Sequence, residues 1–201
     1  MTTTPEQVDT VVVGNGPGGI SLSLALSGWR PHYTGQHPDP DLDARLRAGP
    51  TSLLERDLAG LCVGMEGRGR VPVGVLFDSL AHPDADTGRV RPGCLTVRRE
   101  PQRAVSHLVI GSGPPGGSWH KMAPGMLSLS PAYWMELPGW SLFEWARAHQ
   151  RWIDPAARVA RSDVAAYYLD YVDHMGLTPS MRTGLKVTAA AREEPGWAVT
   201  A

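Results

Sequence analysis

Cysteine is nearly absent: Cys62 and Cys94 are the only two in 201 residues. That excludes a disulfide framework and a CxxC metal site, leaving one bridge as the most the chain can form. Charge of one sign is also lacking. Nineteen Lys and Arg stand against 20 Asp and Glu, a net charge of −1, which gives bulk electrostatics no hold on nucleic acid. The seven histidines are scattered with no HExxH-like cluster, so no metal is expected. No apolar run approaches the roughly 20 residues of a membrane-spanning helix. The polar start Met1–Gln7 carries no signal-peptide pattern. These absences point to a cytoplasmic globular chain with no membrane span, and a 42% hydrophobic content is enough to build a core.

Turn formers are abundant by contrast, with 23 Gly and 18 Pro. One cluster of them has a mechanical reading. Val11-Val12-Val13 suits a central parallel strand covered on both faces. It runs directly into Gly14-Asn15-Gly16-Pro17-Gly18-Gly19, a Gly-x-Gly-x-x-Gly turn. Gly14 permits the turn, Gly16 lets backbone approach a pyrophosphate, and Gly19 lets the next helix close on the strand. Ile20 to Leu26 supplies that helix, with Pro17 in its first turn and Gly28 as its stop. The helix start then offers free N–H groups and a positive dipole end to a diphosphate.

Glycine is common enough that roughly 0.3 accidental matches to this pattern are expected along the chain. A second match is in fact present at Gly111–Gly116, after the strand-like Val105–Ile110. The residues behind it, Gly117 to Gly125, lack a helical apolar period and end in a breaker. Only the first match sits in strand–turn–helix, so the second is not read as a second Rossmann loop. The acidic partner of a ribose is expected about twenty residues beyond the first glycine, which falls at Gln36-His37. Neither is acidic; Asp39 or Asp41 could substitute from the loop, but both read first as turn residues.

Further on, Trp29–Gly35 reads as a second strand. Leu42–Ala48 and Leu53–Leu61 read as short helices or connections, Gly64–Arg70 as a flexible basic loop, and Val73–Leu80 as helix or strand. Arg98, Arg99 and Arg103 read as a solvated face. Five of the seven tryptophans (119, 134, 140, 145 and 152) crowd one stretch, as packing aromatics do. Met126–Ser130 alternates like a half-buried strand. Ser162 caps an amphipathic helix with Val164, Tyr168, Val172 and Met175 on one face, ended by Gly176. Leu185–Ala189 and Trp197–Thr200, joined by Glu194-Pro195-Gly196, form a β-hairpin.

Six ordered blocks, VVVGNGPGGISLSLALSG, VGVLFDSLAHPDADTG, HLVIGSGPPGGSWHKM, MLSLSPAYWMELPGW, SDVAAYYLDYV and GLKVTA, resemble the oxidative-stress-induced growth inhibitor family. That family is itself similar to flavin-containing monooxygenases. The resemblance implies an α/β, FAD-binding Rossmann-like fold: a doubly wound parallel sheet with a small β-meander, incomplete at the C-terminus. It implies FAD, with NADPH as co-substrate of the full-length family, a monooxygenase activity, and a role in restraining growth and regulating cell death. By the same resemblance the cofactor residues are Gly14, Asn15, Gly16, Pro17, Gly18 and Gly19 at the diphosphate. Gly116, Gly117 and Trp119 of the GGxW element lie along the cofactor, and Val187 contacts the adenine. Residues 1–201 read as the N-terminal part of an FAD-binding domain, the NADPH-binding domain and a closing C-terminal segment being absent. The alternative is a non-catalytic regulatory protein that keeps the flavoprotein fold and acts through protein partners. No acid–base pair or nucleophile stands out, and no catalytic residue is assigned.

Overall fold

The computed structural model describes residues 5–67, 69–89 and 91–201. Met1–Thr4 of the polar start and Arg68 of the basic loop lie outside them. In chain order the elements are β1 (Thr10–Val13), α1 (Pro17–Leu26), β2 (Trp29–Tyr33), α2 (Pro40–Arg47), α3 (Leu58–Leu61), α4 (Pro72–Ala81), β3 (Leu95–Arg99) and β4 (His107–Gly111). There follow β5 (Leu127–Pro131), α5 (Leu142–Ala148), β6 (Arg158–Ala160), α6 (Arg161–His174), β7 (Met181–Thr183), β8 (Ala189–Glu193) and β9 (Gly196–Thr200). The chain divides into two compact units, one running to Trp29 and resuming at Glu100–Ala201, the other Arg30–Arg99.

The first unit is α/β, built on a parallel sheet of order β1-β4-β7. Val12 pairs with Val109, and Val109 in turn with Met181. The valine strand is therefore not central, as its composition suggested. β4 occupies the middle and is buried at all five positions. β1 has no strand on its other edge among the described residues, and Val13 is 66% exposed. α1 packs onto β4 through Ile20, Ser23 and Leu24. Inside that contact the Ser23 hydroxyl meets His107 Nε2 at 2.8 Å while His107 Nδ1 faces the Val105 carbonyl at 2.8 Å. The carbonyl can only accept, so Nδ1 carries the hydrogen and Nε2 accepts from Ser23.

Four further expectations shift in this unit. Residues 127–131 do form a strand, but its sense is inverted: Ser128 is buried and Leu129 is 92% exposed. The Ser128 hydroxyl explains the choice, since it donates to the Ser130 carbonyl at 2.6 Å and accepts from Val159 N–H at 3.0 Å. The long helix begins at Arg161 without a side-chain cap, so Ser162 is not its N-cap. Its face of Val164, Tyr168 and Val172 is buried as expected, Met175 is buried just past the helix end, and Gly176 follows at φ 69°. The terminal hairpin exists, but its first strand starts at Ala189 and leaves Val187 ahead of it. Around the main sheet lie the separate pairs β5–β6 and β8–β9, where a small meander was expected.

α6 also clamps the loop 135–140. The hydroxyls of Tyr167, Tyr168 and Tyr171 donate to the carbonyls of Trp140, Met135 and Pro138. Within that loop burial pushes the Glu136 carboxyl up from 4.5 to about 7, against hydrogen bonds from the N–H groups of Phe143 and Leu142 that favour its charge. A carboxyl raised on folding binds more protons in the native than in the unfolded state. Its effect is therefore a fall in stability as pH climbs from 4.5 to about 7, worth roughly 3 kcal/mol. Urea titrations across that range should show the fall in the parent and its absence in Glu136→Gln. Equal slopes in the two proteins would contradict this account.

In the second unit β2 pairs with β3, and Val73–Leu80 resolves as helix, within α4. Tyr33, Leu42, Leu46, Leu53, Leu76 and Leu80 form its core together with the free thiols of Cys62 and Cys94. Asp43 gathers the polar contacts. Its Oδ1 accepts from the Tyr33 hydroxyl and from the N–H groups of Gln36 (2.9 Å) and His37 (3.2 Å), and its Oδ2 from Arg47 Nε at 2.6 Å. The Tyr33 hydrogen bond, then that of Arg47, lowers its carboxyl from 3.8 to about 2. A depressed carboxylate contributes stability that is complete above the unfolded value and is lost as pH falls through the folded one. Asp43→Asn should therefore flatten the acid limb of the stability curve between 3.8 and about 2. An acid limb identical to the parent's, by circular dichroism at fixed urea, would rule this out.

Candidate functional site

β1 ends in a turn that only glycine enters without strain, Gly14 at φ 104°, and the Gly14 N–H donates to the Ile110 carbonyl at 2.8 Å. Gly16 then takes an ordinary extended conformation as N-cap of α1, with Pro17 in the first turn and no capping side chain. Its carbonyl receives the first helical bond from Ile20 N–H at 2.9 Å. The remaining N–H groups at this helix start have no intrahelical acceptor, and with the positive dipole end they suit an anion.

The glycines sort into two kinds by what a methyl would meet. At Gly14, Gly16, Gly18 and Gly113 a Cβ would meet nothing within 4 Å. At Gly19 it would fall 2.0 Å from the Gly14 carbonyl oxygen, and at Gly111 2.1 Å from the Asn15 side chain. The first set faces open space, whereas Gly19 lies against the Gly14 backbone and Gly111 against the Asn15 side chain.

The second glycine match carries only a 3₁₀ turn, Gly117–His120, behind it, as its sequence indicated. Its place in the site was not legible. It wraps the first loop: buried Asn15 donates from Nδ2 to the Gly113 carbonyl at 2.7 Å, and Gly116 N–H donates to the Asn15 carbonyl at 2.8 Å. Gly117 lies so near that its Cβ would stand 3.2 Å from Gly16 Cα. Gly14–Gly19 and Gly116-Gly117 thus form one cradle. Trp119 stands beside it with its ring edge-on to Tyr168, centroids 6.3 Å apart.

α6 braces the far side. Arg161 donates from Nη1 to the Trp119 carbonyl at 3.1 Å, and Tyr168 Cβ lies 3.2 Å from where a Gly116 Cβ would stand. Arg161 carried no sequence signal, and Tyr168 was legible only as part of the buried face of its helix. Val187 lies two residues past Leu185, whose N–H donates to the Gly111 carbonyl at 3.1 Å. The strand beside β1 is β4, so the position expected for a ribose carboxylate is the end of β4, not Gln36-His37. The residues there are Ile110, Gly111 and Ser112. A cleft of about 730 Å³ between Gly113–Pro115, α6 and β7 shares no residue with the cradle. Asp170 and Asp173 line it, which does not suit a diphosphate.

Among the described residues there is no group of His, Cys, Asp and Glu able to hold a metal ion. No helix among them is long and apolar enough to cross a membrane.

No family model matches the chain. Among solved structures, a variant of the flavin monooxygenase from Stenotrophomonas maltophilia is 17% identical with a TM-score of 0.47, covering 97% of this chain and 34% of that one. Among curated proteins, human oxidative stress-induced growth inhibitor 2 is 42% identical over 185 residues, 90% of this chain and 36% of that protein. Mouse oxidative stress-induced growth inhibitor 1 is 41% identical over 196 residues, 95% of this chain and 41% of that protein. The chain spans about two fifths of the length of these relatives. By sequence, over nine tenths of its own length, it is homologous to the oxidative stress-induced growth inhibitors.

Proposed function

We propose that this chain is the FAD-binding portion of a flavin monooxygenase-like protein that restrains growth and regulates cell death. The observation that carries the reading is the open face at Gly14, Gly16 and Gly18 at the start of α1, with Gly116-Gly117 packed directly against that loop. A diphosphate needs backbone N–H groups, a helix N-terminus and the absence of Cβ atoms, and this face has all three. When bound, FAD supplies the redox and oxygen chemistry. In this reading Gly14, Asn15, Gly16, Pro17, Gly18 and Gly19 hold its diphosphate, Gly116, Gly117 and Trp119 lie along it, and Val187 reaches its adenine. Asn15 and Arg161 keep the two segments in register. NADPH is the co-substrate of the full-length protein, and this chain alone does not turn it over.

The test is to incubate the purified 201-residue chain with FAD, desalt it and record its visible spectrum. Retained flavin absorbance supports the reading. A colourless protein that also fails to bind ADP overturns it in favour of a partner-binding protein that keeps the fold.

A further inference from the structure

The end of β4 lacks the side chain that its place beside the glycine turn calls for. In a strand–turn–helix nucleotide fold a carboxylate there accepts from a ribose hydroxyl. Here the strand closes on Gly111. Residues 10–38 and 101–135, which supply both halves of the cradle, contain no Asp or Glu. The space itself is filled. A Cβ at Gly111 would stand 2.1 Å from Asn15 Cγ, 2.3 Å from its Oδ1 and 2.4 Å from its Nδ2. The Asn15 carboxamide therefore sits where a side chain of residue 111 would begin.

The two ends of that amide have different tasks. One end faces the Gly113 carbonyl at 2.7 Å. A carbonyl can only accept, so this end is the NH₂ group and the other is the oxygen. Among the described residues Oδ1 accepts no hydrogen bond. Asn15 is 4% exposed and held at its nitrogen end, so the fold fixes its acceptor. Yet Oδ1 is not among the unpartnered polar atoms sealed inside the protein. A fixed acceptor with its lone pairs free and an opening to the outside is what a ligand hydroxyl requires. Ser112, the other polar side chain at this end of β4, is exposed and meets only Lys121 Nζ, at 3.4 Å.

We propose that Asn15 Oδ1 accepts a hydrogen bond from the 2′-hydroxyl of the adenosine ribose, in place of the carboxylate that β4 lacks. This rests on the dinucleotide reading of the cradle and specifies how its adenosine end is held. One side chain then joins three parts of the site: Nδ2 locks Gly113 and Oδ1 meets the ribose, beside the diphosphate turn that carries them. The amide does this without setting a negative charge next to a diphosphate. Being neutral, it is a weaker acceptor than a carboxylate.

Calorimetric titration of the 201-residue chain with ADP and 2′-deoxy-ADP tests it. The two differ only in that hydroxyl, and ADP carries the ribose and diphosphate of the adenosine half of FAD. ADP should bind about fivefold tighter, the worth of one neutral hydrogen bond. In Asn15→Ala the ratio should fall to one. Loss of the Gly113 lock in that variant weakens both nucleotides alike, so the ratio reports the ribose contact where the affinity alone would not. Ser112→Ala should keep the parent ratio. Equal binding of the two nucleotides by the parent overturns the ribose contact alone, as does a ratio that survives in Asn15→Ala or is lost in Ser112→Ala. Failure of ADP to bind the parent at all overturns the cradle reading with it.

Discussion

Replacing Gly16 with Ala should leave the fold almost unchanged while weakening FAD binding tenfold or more, about 1.4 kcal/mol. The two effects separate because of the local geometry. Gly16 has φ −72° and ψ −178°, a conformation open to any residue. A Cβ there meets no protein atom within 4 Å, so the unliganded chain loses under about 1 kcal/mol from the altered N-cap. That same open space is where a diphosphate would approach the N–H groups of α1, and the methyl would stand in it. Melting temperature and FAD affinity should therefore be measured on one preparation. An unchanged affinity would remove Gly16 from the proposed site, whereas a large drop in melting temperature would show that the glycine serves the fold.

The part of this cradle that is local in the chain was legible in the sequence. A valine run, three spaced glycines and a Pro at the helix start dictate strand, turn and helix within seventeen residues, Thr10 to Leu26. What joins that unit to its neighbours was not. Counting twenty residues from Gly14 led to Gln36-His37, which belong to the separate Arg30–Arg99 unit. Because that unit intervenes before β4, spacing along the chain does not report spacing across the sheet. The three residues of β7 are too short to carry a period. The Leu127–Leu129 alternation fixed a strand but not its inward face, because Ser128 gains two buried hydrogen bonds there. Asn15 was marked only as part of a motif. Its use as the bolt between two glycine segments follows from Gly111 and Gly113, distant by nearly a hundred residues.

Gly19→Ala should act in the opposite manner to Gly16→Ala, on stability first. In an exposed helix interior, Gly to Ala gains about 1 kcal/mol. Gly19 lies in the first turn of α1, where the new Cβ would stand 2.0 Å from the Gly14 carbonyl oxygen and 3.1 Å from its carbon. No real contact is that short, so backbone must move. Gly14 cannot swing away freely, since its N–H is bonded to the Ile110 carbonyl and its φ is already 104°. Nor can α1 lift from the sheet without exposing Ile20 and Leu24 and breaking the Ser23–His107 bond. Overpacking against backbone of this kind costs 1–3 kcal/mol or more, which outweighs the helix-propensity gain. A net loss of about 2 kcal/mol corresponds to a melting temperature lower by roughly 4–8 °C for a chain of this size. FAD should be lost as well, because the displaced Gly14 carries the turn that aims Gly16. A Gly19→Ala variant as stable as the parent would mean that α1 sits farther from β1 than this structure has it, and the diphosphate site proposed at its N-terminus would lose its footing.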